Sequence, residues 1–314
     1  MRLFSSTLIG LVAVLGTQAT AYPNPGAVYG DTAHDPSVAK GSDGTYIMVA
    51  TGNGIPIWTS TDRTTWTLSG SVFPDGAPSA TDAYTGTVDG DLWAPDITYV
   101  DGKFILYYSA STFSSQESAI FMAQSTTGLS GTWTDNGKVV SSTDGSAYNA
   151  IDPHLTITSS GAWYLSFGSF WTGIYAAALE KSSGKVSSTS YTHIAQRTEA
   201  NGAVEASWIY ETGGYFYLFT SFDACCSGTA STYNIRVSRS TSITGPYKDA
   251  DGVTALNGGG TLVLATHDSI YGPGGQSLLE DSDAVALFYH YYTVSDSQLG
   301  INLLDFSSGW PVVY

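Results

Sequence analysis

The sequence predicts an all-β protein, and within that class a five-bladed β-propeller. Three observations lead there. Runs with helical apolar period are missing. Tyrosine, tryptophan and phenylalanine gather in short segments bounded by glycine and aspartate. A unit of three strand-like segments recurs five times in one order. Five four-stranded units of about 60 residues suit radial closure, because a ring of blades leaves only short sheet edges. A β-sandwich would not repeat three strand types in the same order five times.

The elements follow in chain order. Residues 1–21 carry an early Arg2, an apolar run from Leu8 to Leu15 and small residues at Ala19 and Ala21. That is the pattern of a secretory signal peptide, too short for a membrane span, with cleavage expected after Ala21. The protein is therefore expected outside the cell, with residues 22–314 as a single propeller domain. Innermost strands are expected at DPSVA, APDITYV, DPHLTIT, EASWIYE and PGGQSLL. Second strands follow at GTYIMVAT, GKFILYYSA, GAWYLSFGS, GYFYLFTS and AVALFYHYY. Third strands begin at Ile57, Ile120, Ile174, Ile235 and Ile301, in steps of 63, 54, 61 and 66 residues. TTWTLSG, GTWTDNG and GPYKDADG supply outer strands for most units.

Without the leader the chain carries ten basic against 27 acidic side chains, a net charge of −17. That field repels phosphate, which disfavours nucleic acid and anionic membranes as partners, though it equally serves solubility alone. The only cysteines, Cys225 and Cys226, are adjacent, so a disulfide scaffold is excluded and hydrophobic burial must stabilise the chain. In an oxidising compartment they either close onto each other in an eight-membered ring or stay as buried thiols. Their loop follows the second strand of blade four and is expected opposite the funnel or beside it. If closed, the pair forms an apolar knob against a ligand or simply stiffens its loop; stiffening is the expectation.

In a propeller the first strand of each blade lines the axis, and residues just before it open into a funnel. Asp35, Asp152 and Glu205 align at that place in blades one, three and four, so closure of the ring brings them around one axis. Asp96 of blade two is slightly out of register, and blade five offers GPGG instead. An Asp-Pro at a strand start is commonly a turn device. Three carboxyls around one pocket instead suit acid–base work, with one as general base, one as general acid and a third raising the acid's proton affinity. Exposed aromatics near them would offer flat apolar surfaces to a ligand. Trp93, Phe113, Phe170 and Trp171 stand at strand ends or in loops beside the acids, although packing between blades is the usual use of such rings.

HDPSV, DLWAPDI, NAIDPHL, GAVEASWIY and LFYHYY, in that order over essentially the whole chain, resemble glycoside hydrolase family 43, and within it the secreted endo-1,5-α-L-arabinanases. The resemblance implies a propeller that cleaves α-1,5-linked arabinan of plant pectin with inversion. It implies Asp35 as general base, Glu205 as general acid and Asp152 as the modulator that tunes Glu205. It also places Asn149 and Ser169 at the sugar hydroxyls. No organic cofactor is implied, but related enzymes hold a calcium ion at the axis through one histidine and a shell of waters, which points to His290. His34 and His154 are expected as structural partners of Asp35 and Asp152. Gly275 departs from the pattern, since many relatives carry histidine directly after GPG, and this is expected to loosen blade five's part in the site. The chain is expected to act as a monomer. An exo-acting α-L-arabinofuranosidase or β-xylosidase is the rival activity, and a sugar-binding propeller the rival class. The acids differ from blade to blade, which argues for a single catalytic centre.

Overall fold

Tight turns divide the chain into hairpins. Asp101–Gly102 and Gly213–Gly214 each join two strands through a pair of residues with φ of 51° and 78°, and of 58° and 80°. Two consecutive left-handed residues give the turn whose twist matches antiparallel strands, which is why Asp-Gly and Gly-Gly stand there. The computed structural model describes residues 22–28 and 32–314, so the expected signal peptide lies outside the described residues.

These hairpins build five antiparallel sheets. Blade one is β1 (Ser37–Lys40), β2 (Tyr46–Val49), β3 (Pro56–Ser60) and β4 (Thr67–Ser71). Blade two is β5 (Trp93–Val100), β6 (Lys103–Ala110), β7 (Ser118–Ser125) and β8 (Thr134–Ser142). Blade three is β9 (His154–Ile157), β10 (Trp163–Phe167) and β11 (Ile174–Glu180), with β12 (Lys185–Val186) and β13 (Thr192–Ala195) both pairing with β11. Blade four is β14 (Val204–Thr212), β15 (Tyr215–Phe222), β16 (Asn234–Ser240) and β17 (Thr261–Leu264). Blade five is β18 (Tyr271–Glu280), β19 (Val285–Tyr292), β20 (Ser297–Asp305) and β21 (Val312–Val313). The order predicted from the repeats holds. One outer strand is corrected: GPYKDADG is a loop rather than a strand. Asp249 takes the amides of Val253 and Gly260 at 2.8 and 3.0 Å, which folds the segment back as a turn and leaves the outer position to β17.

The apolar faces pack between blades, not within one central core. Five buried clusters lie in the five seams, for instance Val49, Leu92 and Leu106 between blades one and two, and Met48, Trp58 and Phe288 between blades five and one. Ile57, Ile120, Ile174 and Ile235, which mark the repeat, are wholly buried, and Ile301 is nearly so. Each blade is formed by consecutive strands, so side chains must close the ring. Asp281 of blade five accepts from Lys40 at 2.7 Å and Arg63 at 2.8 Å, and from the Tyr46 hydroxyl, all of blade one. The Gly26 amide bonds to the Ile301 carbonyl at 2.9 Å, seating the N-terminal segment on blade five.

At the axis the five blades share one backbone device. Asp35, Ala94, Asp152, Ala206 and Gly275 have φ of 50°, 40°, 56°, 52° and 58°. In blades two, four and five this residue sits in a register break of the innermost strand, between Trp93 and Asp96, between Glu205 and Trp208, and between Gly274 and Ser277. Left-handed backbone is rare for residues other than glycine and persists only where its surroundings enforce it. Here it re-aims the chain at the funnel rim, as bulges do near functional sites.

Candidate active site

The ring of left-handed residues corrects the alignment of the acids. Asp35 and Asp152 are equivalent, but blade four's equivalent is Ala206, and Glu205 precedes it by one residue. The offset has a consequence. The Ala206 amide donates to Asp152 Oδ2 at 3.0 Å, so Asp152 grips the backbone directly beside Glu205.

Each acid is tied to a neighbouring blade. Asp35 Oδ2 accepts from Thr51 Oγ1 at 2.7 Å and from His34 Nδ1 at 2.9 Å. Thr51 in turn accepts the Ala94 amide at 2.8 Å, tying blade one to blade two. The Asp35 amide donates to His290 Nδ1 of blade five at 3.1 Å. The Asp152 amide donates to Ser109 Oγ of blade two at 3.1 Å. Glu205 is buried, bonded to Ser169 Oγ at 2.5 Å through Oε2 and to the Tyr233 hydroxyl at 2.8 Å through Oε1.

All three carboxyls face one open cleft of about 870 Å³. Its walls hold every aromatic expected there. Trp93 and Phe113 meet edge to face at 6.3 Å, and Phe113 is largely exposed. Phe170 and Trp171 are consecutive left-handed residues, φ 51° and 41°, held out toward the cleft. Asn149 lines it too, with its Oδ1 buried and without a hydrogen-bond partner among the described residues. Ser169 also lines the cleft, but its hydroxyl is spent on Glu205.

The environments separate the proton affinities. For Asp35, burial favours the neutral form, but the charge of His34 and the close contacts of His290 and His34 with its carboxyl outweigh it, and its pKa falls well below the usual range. For Asp152, burial and then the charges of Glu205 and Asp35 push the pKa well up. Glu205 is raised by burial and by Asp35, against the hydrogen bonds of Ser169 and Tyr233. Asp152 and Glu205 together thus keep a proton where two ordinary carboxyls would have lost both.

Other expectations move. Asp96 lies beneath the cleft as a strut, accepting the Leu155 amide at 2.7 Å and contacting His154 Nδ1 at 3.3 Å. His154 therefore partners Asp96, not Asp152, and stacks on Trp208 at 3.8 Å between ring centres. Gly275 does not loosen blade five. A Cβ there would stand 2.4 Å from Asp35 Oδ1 and 2.7 Å from His290 Nδ1, so its bareness lets blade five close on the acid. Cys225 and Cys226 are joined as a disulfide and line the cleft wall, neither opposite the funnel nor merely beside it. Thr51 and Tyr233 were missed. Their only signal was a place at strand ends flanking the rim.

Ligating atoms of His34, Asp35 and His290 lie within 4.8 Å of one another, the place where the described residues could hold a cation. They do not fit calcium as they stand. Calcium seeks about six to eight oxygen ligands. His290 is wholly buried, its Nδ1 accepts the Asp35 amide, and its Nε2 meets the Tyr292 hydroxyl at 3.1 Å. Burial, then His34, pushes its pKa down to about 4. The ring is a neutral strut with both nitrogens engaged.

A propeller whose axial rim sets one ionised carboxyl against a proton-holding pair, inside an aromatic-walled cleft, defines a glycoside hydrolase. The comparisons agree. The sequence model of Glycosyl hydrolases family 43 matches residues 22–311, and the chain belongs to that family. Arabinan endo-1,5-alpha-L-arabinosidase A of Aspergillus niger is 42% identical over 322 residues, covering 97% of this chain and 98% of that protein. The alpha-L-arabinanase of Cellvibrio cellulosa, solved in complex with arabinohexaose, superposes with a TM-score of 0.84 at 32% identity, over 90% of this chain and 96% of its own. An exo-1,5-alpha-L-arabinanase from a bovine ruminal metagenomic library gives the same TM-score at 36% identity, over 90% and 97%.

Proposed function

We propose that the enzyme is a secreted, monomeric endo-1,5-α-L-arabinanase that cuts within arabinan chains by inversion. The observation that carries this reading is the cleft itself, open at the rim and walled by Trp93, Phe113, Phe170 and Trp171, with Asp35, Asp152 and Glu205 at its floor. Furanose rings stack their apolar faces on such aromatics, and the Asn149 carbonyl receives a ring hydroxyl. An open trough lets a polymer run across the acids, which suits endo cleavage.

Asp35, held ionised, takes a proton from a water placed between it and the anomeric carbon, while Glu205 protonates the leaving oxygen from the other side. Inverting enzymes leave about 6.5–9.5 Å between these carboxyls to admit that water. As Glu205 passes its proton on, negative charge develops on a carboxylate that already faces the Tyr233 and Ser169 hydroxyls. Both bonds strengthen in the transition state. Asp152 acts on Glu205 twice, by sharing the pair's proton and through its grip on the Ala206 amide.

Product sizing on debranched arabinan tests the reading. Oligomers of several lengths appearing before monomer are expected. Monomer alone from the first time point would assign exo action, and an inert polymer would leave a binding protein.

A further inference from the structure

The disulfide of Cys225 and Cys226 sits where the base and the acid are both supported, and no step above uses it. The Cys226 amide donates to the Tyr292 hydroxyl at 2.9 Å. That oxygen also meets His34 Nε2 at 3.0 Å and His290 Nε2 at 3.1 Å. In the state where both imidazoles are neutral, one proton assignment serves the bonds at the Tyr292 hydroxyl and at the Asp35 amide. His290 Nδ1 accepts the Asp35 amide, so its Nε2–H donates to Tyr292, as the Cys226 amide does. The hydroxyl hydrogen is left for His34 Nε2, and His34 Nδ1–H then donates to the Asp35 carboxylate. The rings of His34 and His290 stack on each other with their centres 4.0 Å apart.

The same loop reaches the acid. The Ala224 carbonyl, directly before the cysteine pair, takes the amides of Thr232 and Tyr233 at 2.9 and 3.1 Å, and the Tyr233 hydroxyl bonds Glu205. One loop therefore touches the supports of Asp35 at one end and of Glu205 at the other. Cys226 is held in it at φ 65°, a conformation that costs a non-glycine residue and persists only where its surroundings enforce it.

We propose that the Cys225–Cys226 disulfide is a positioning element of the catalytic machinery: it fixes the Ala224–Tyr233 loop so that the Cys226 amide anchors Tyr292, and through His34 the carboxylate of Asp35, in register with Glu205. This rests on Asp35 and Glu205 serving as base and acid. Cys226 is exposed, so a water-soluble phosphine can reach the bond. Phosphorus attacks one sulfur, the S–S bond breaks, and two electrons pass to the sulfurs. Water supplies the oxygen of the phosphine oxide and the two protons of the thiols. Cys226 is then free to leave its left-handed conformation and withdraw its amide from Tyr292.

The test is reversible reduction of the intact enzyme, with thiols counted, and kcat and KM measured on debranched arabinan. The imidazole Nδ1–H signal of His34 is followed by proton NMR. Reduction is expected to lower kcat about tenfold, within the roughly hundredfold that an ångström of misplacement costs, with KM nearly constant. It is also expected to weaken the His34 signal, and reoxidation restores both. The Cys225→Ser/Cys226→Ser double variant should match the reduced enzyme and ignore phosphine. Two free thiols with kcat and the His34 signal unchanged would overturn the proposal, as would a rise in KM alone, which marks a cleft-wall contact. The NMR signal reports on the loop whether or not the chain turns over arabinan. Asp35→Asn retaining full arabinan activity would instead sink the base assignment, independently of the disulfide result.

Discussion

Replacing Tyr233 by phenylalanine removes one hydroxyl and leaves the ring. The ring is buried, with its neighbour Gly274 pressed against it so closely that a Cβ on Gly274 would stand 2.1 Å away. Packing is thus preserved, and what is lost is the 2.8 Å hydrogen bond to Glu205 Oε1. A hydrogen bond to a charged group is worth about 1.5–3 kcal/mol. Glu205 gains its charge only as it protonates the leaving oxygen, so the loss falls on the transition state. That corresponds to a drop in kcat of about 10- to 150-fold at nearly constant KM. An aryl arabinofuranoside with a good leaving group needs little protonation, and the same variant should lose no more than about threefold there. Initial rates on debranched arabinan and on the aryl substrate make the comparison. Equal losses on both substrates would show a packing defect, and full activity on arabinan would show that Tyr233 does not serve the acid.

Glu205→Ala should abolish hydrolysis of arabinan while an activated aryl arabinofuranoside keeps measurable turnover; rates on the two substrates decide it. Asp281→Ala removes the acceptor of Lys40, Arg63 and Tyr46 at the seam of blades one and five, and urea unfolding should show a loss of about 1–2 kcal/mol, because Lys40 stays solvated and Arg63 keeps Asp283. Asp281 has its pKa depressed in the fold, against burial, by Lys40, Tyr46 and Arg63. Its contribution is therefore complete above the ordinary carboxyl range near ~4 and fades as pH falls toward the depressed value. Wild type and variant should converge in stability in strong acid and stay apart at neutral pH. Because both nitrogens of His290 are engaged, exhaustive chelation is expected to leave kcat on arabinan unchanged, and a reproducible loss restored by calcium would contradict that reading.

Much of the architecture could be read in the sequence because it is written locally. Aromatic and β-branched runs mark strands, Asp-Gly and Gly-Gly mark hairpins, and five isoleucines mark the third strands, whose burial the fold bears out. Asp35 and Asp152 were legible for the same reason, each heading an innermost strand before proline. What escaped depends on contacts between distant segments. A bulge shifts Glu205 one residue from its apparent equivalents, and no local pattern announces that register break. Tyr233 and Thr51 owe their importance to carboxyls on other segments, and His154 found Asp96 because the ring places β9 beside β5. The cysteine pair was misplaced because strand order leaves open which way a rim loop folds. Gly275 looked like a missing side chain and is the point where blade five reaches the acid.

The division of protons among the three acids bears the whole mechanism, and carbon-13 NMR of the labelled carboxyls across a pH titration of the free enzyme measures it most directly. Asp35 should stay ionised to pH values below the ordinary carboxyl range, while the Glu205–Asp152 pair takes up a proton above that range. Three carboxyls titrating together near the ordinary value of about 4 would contradict the account.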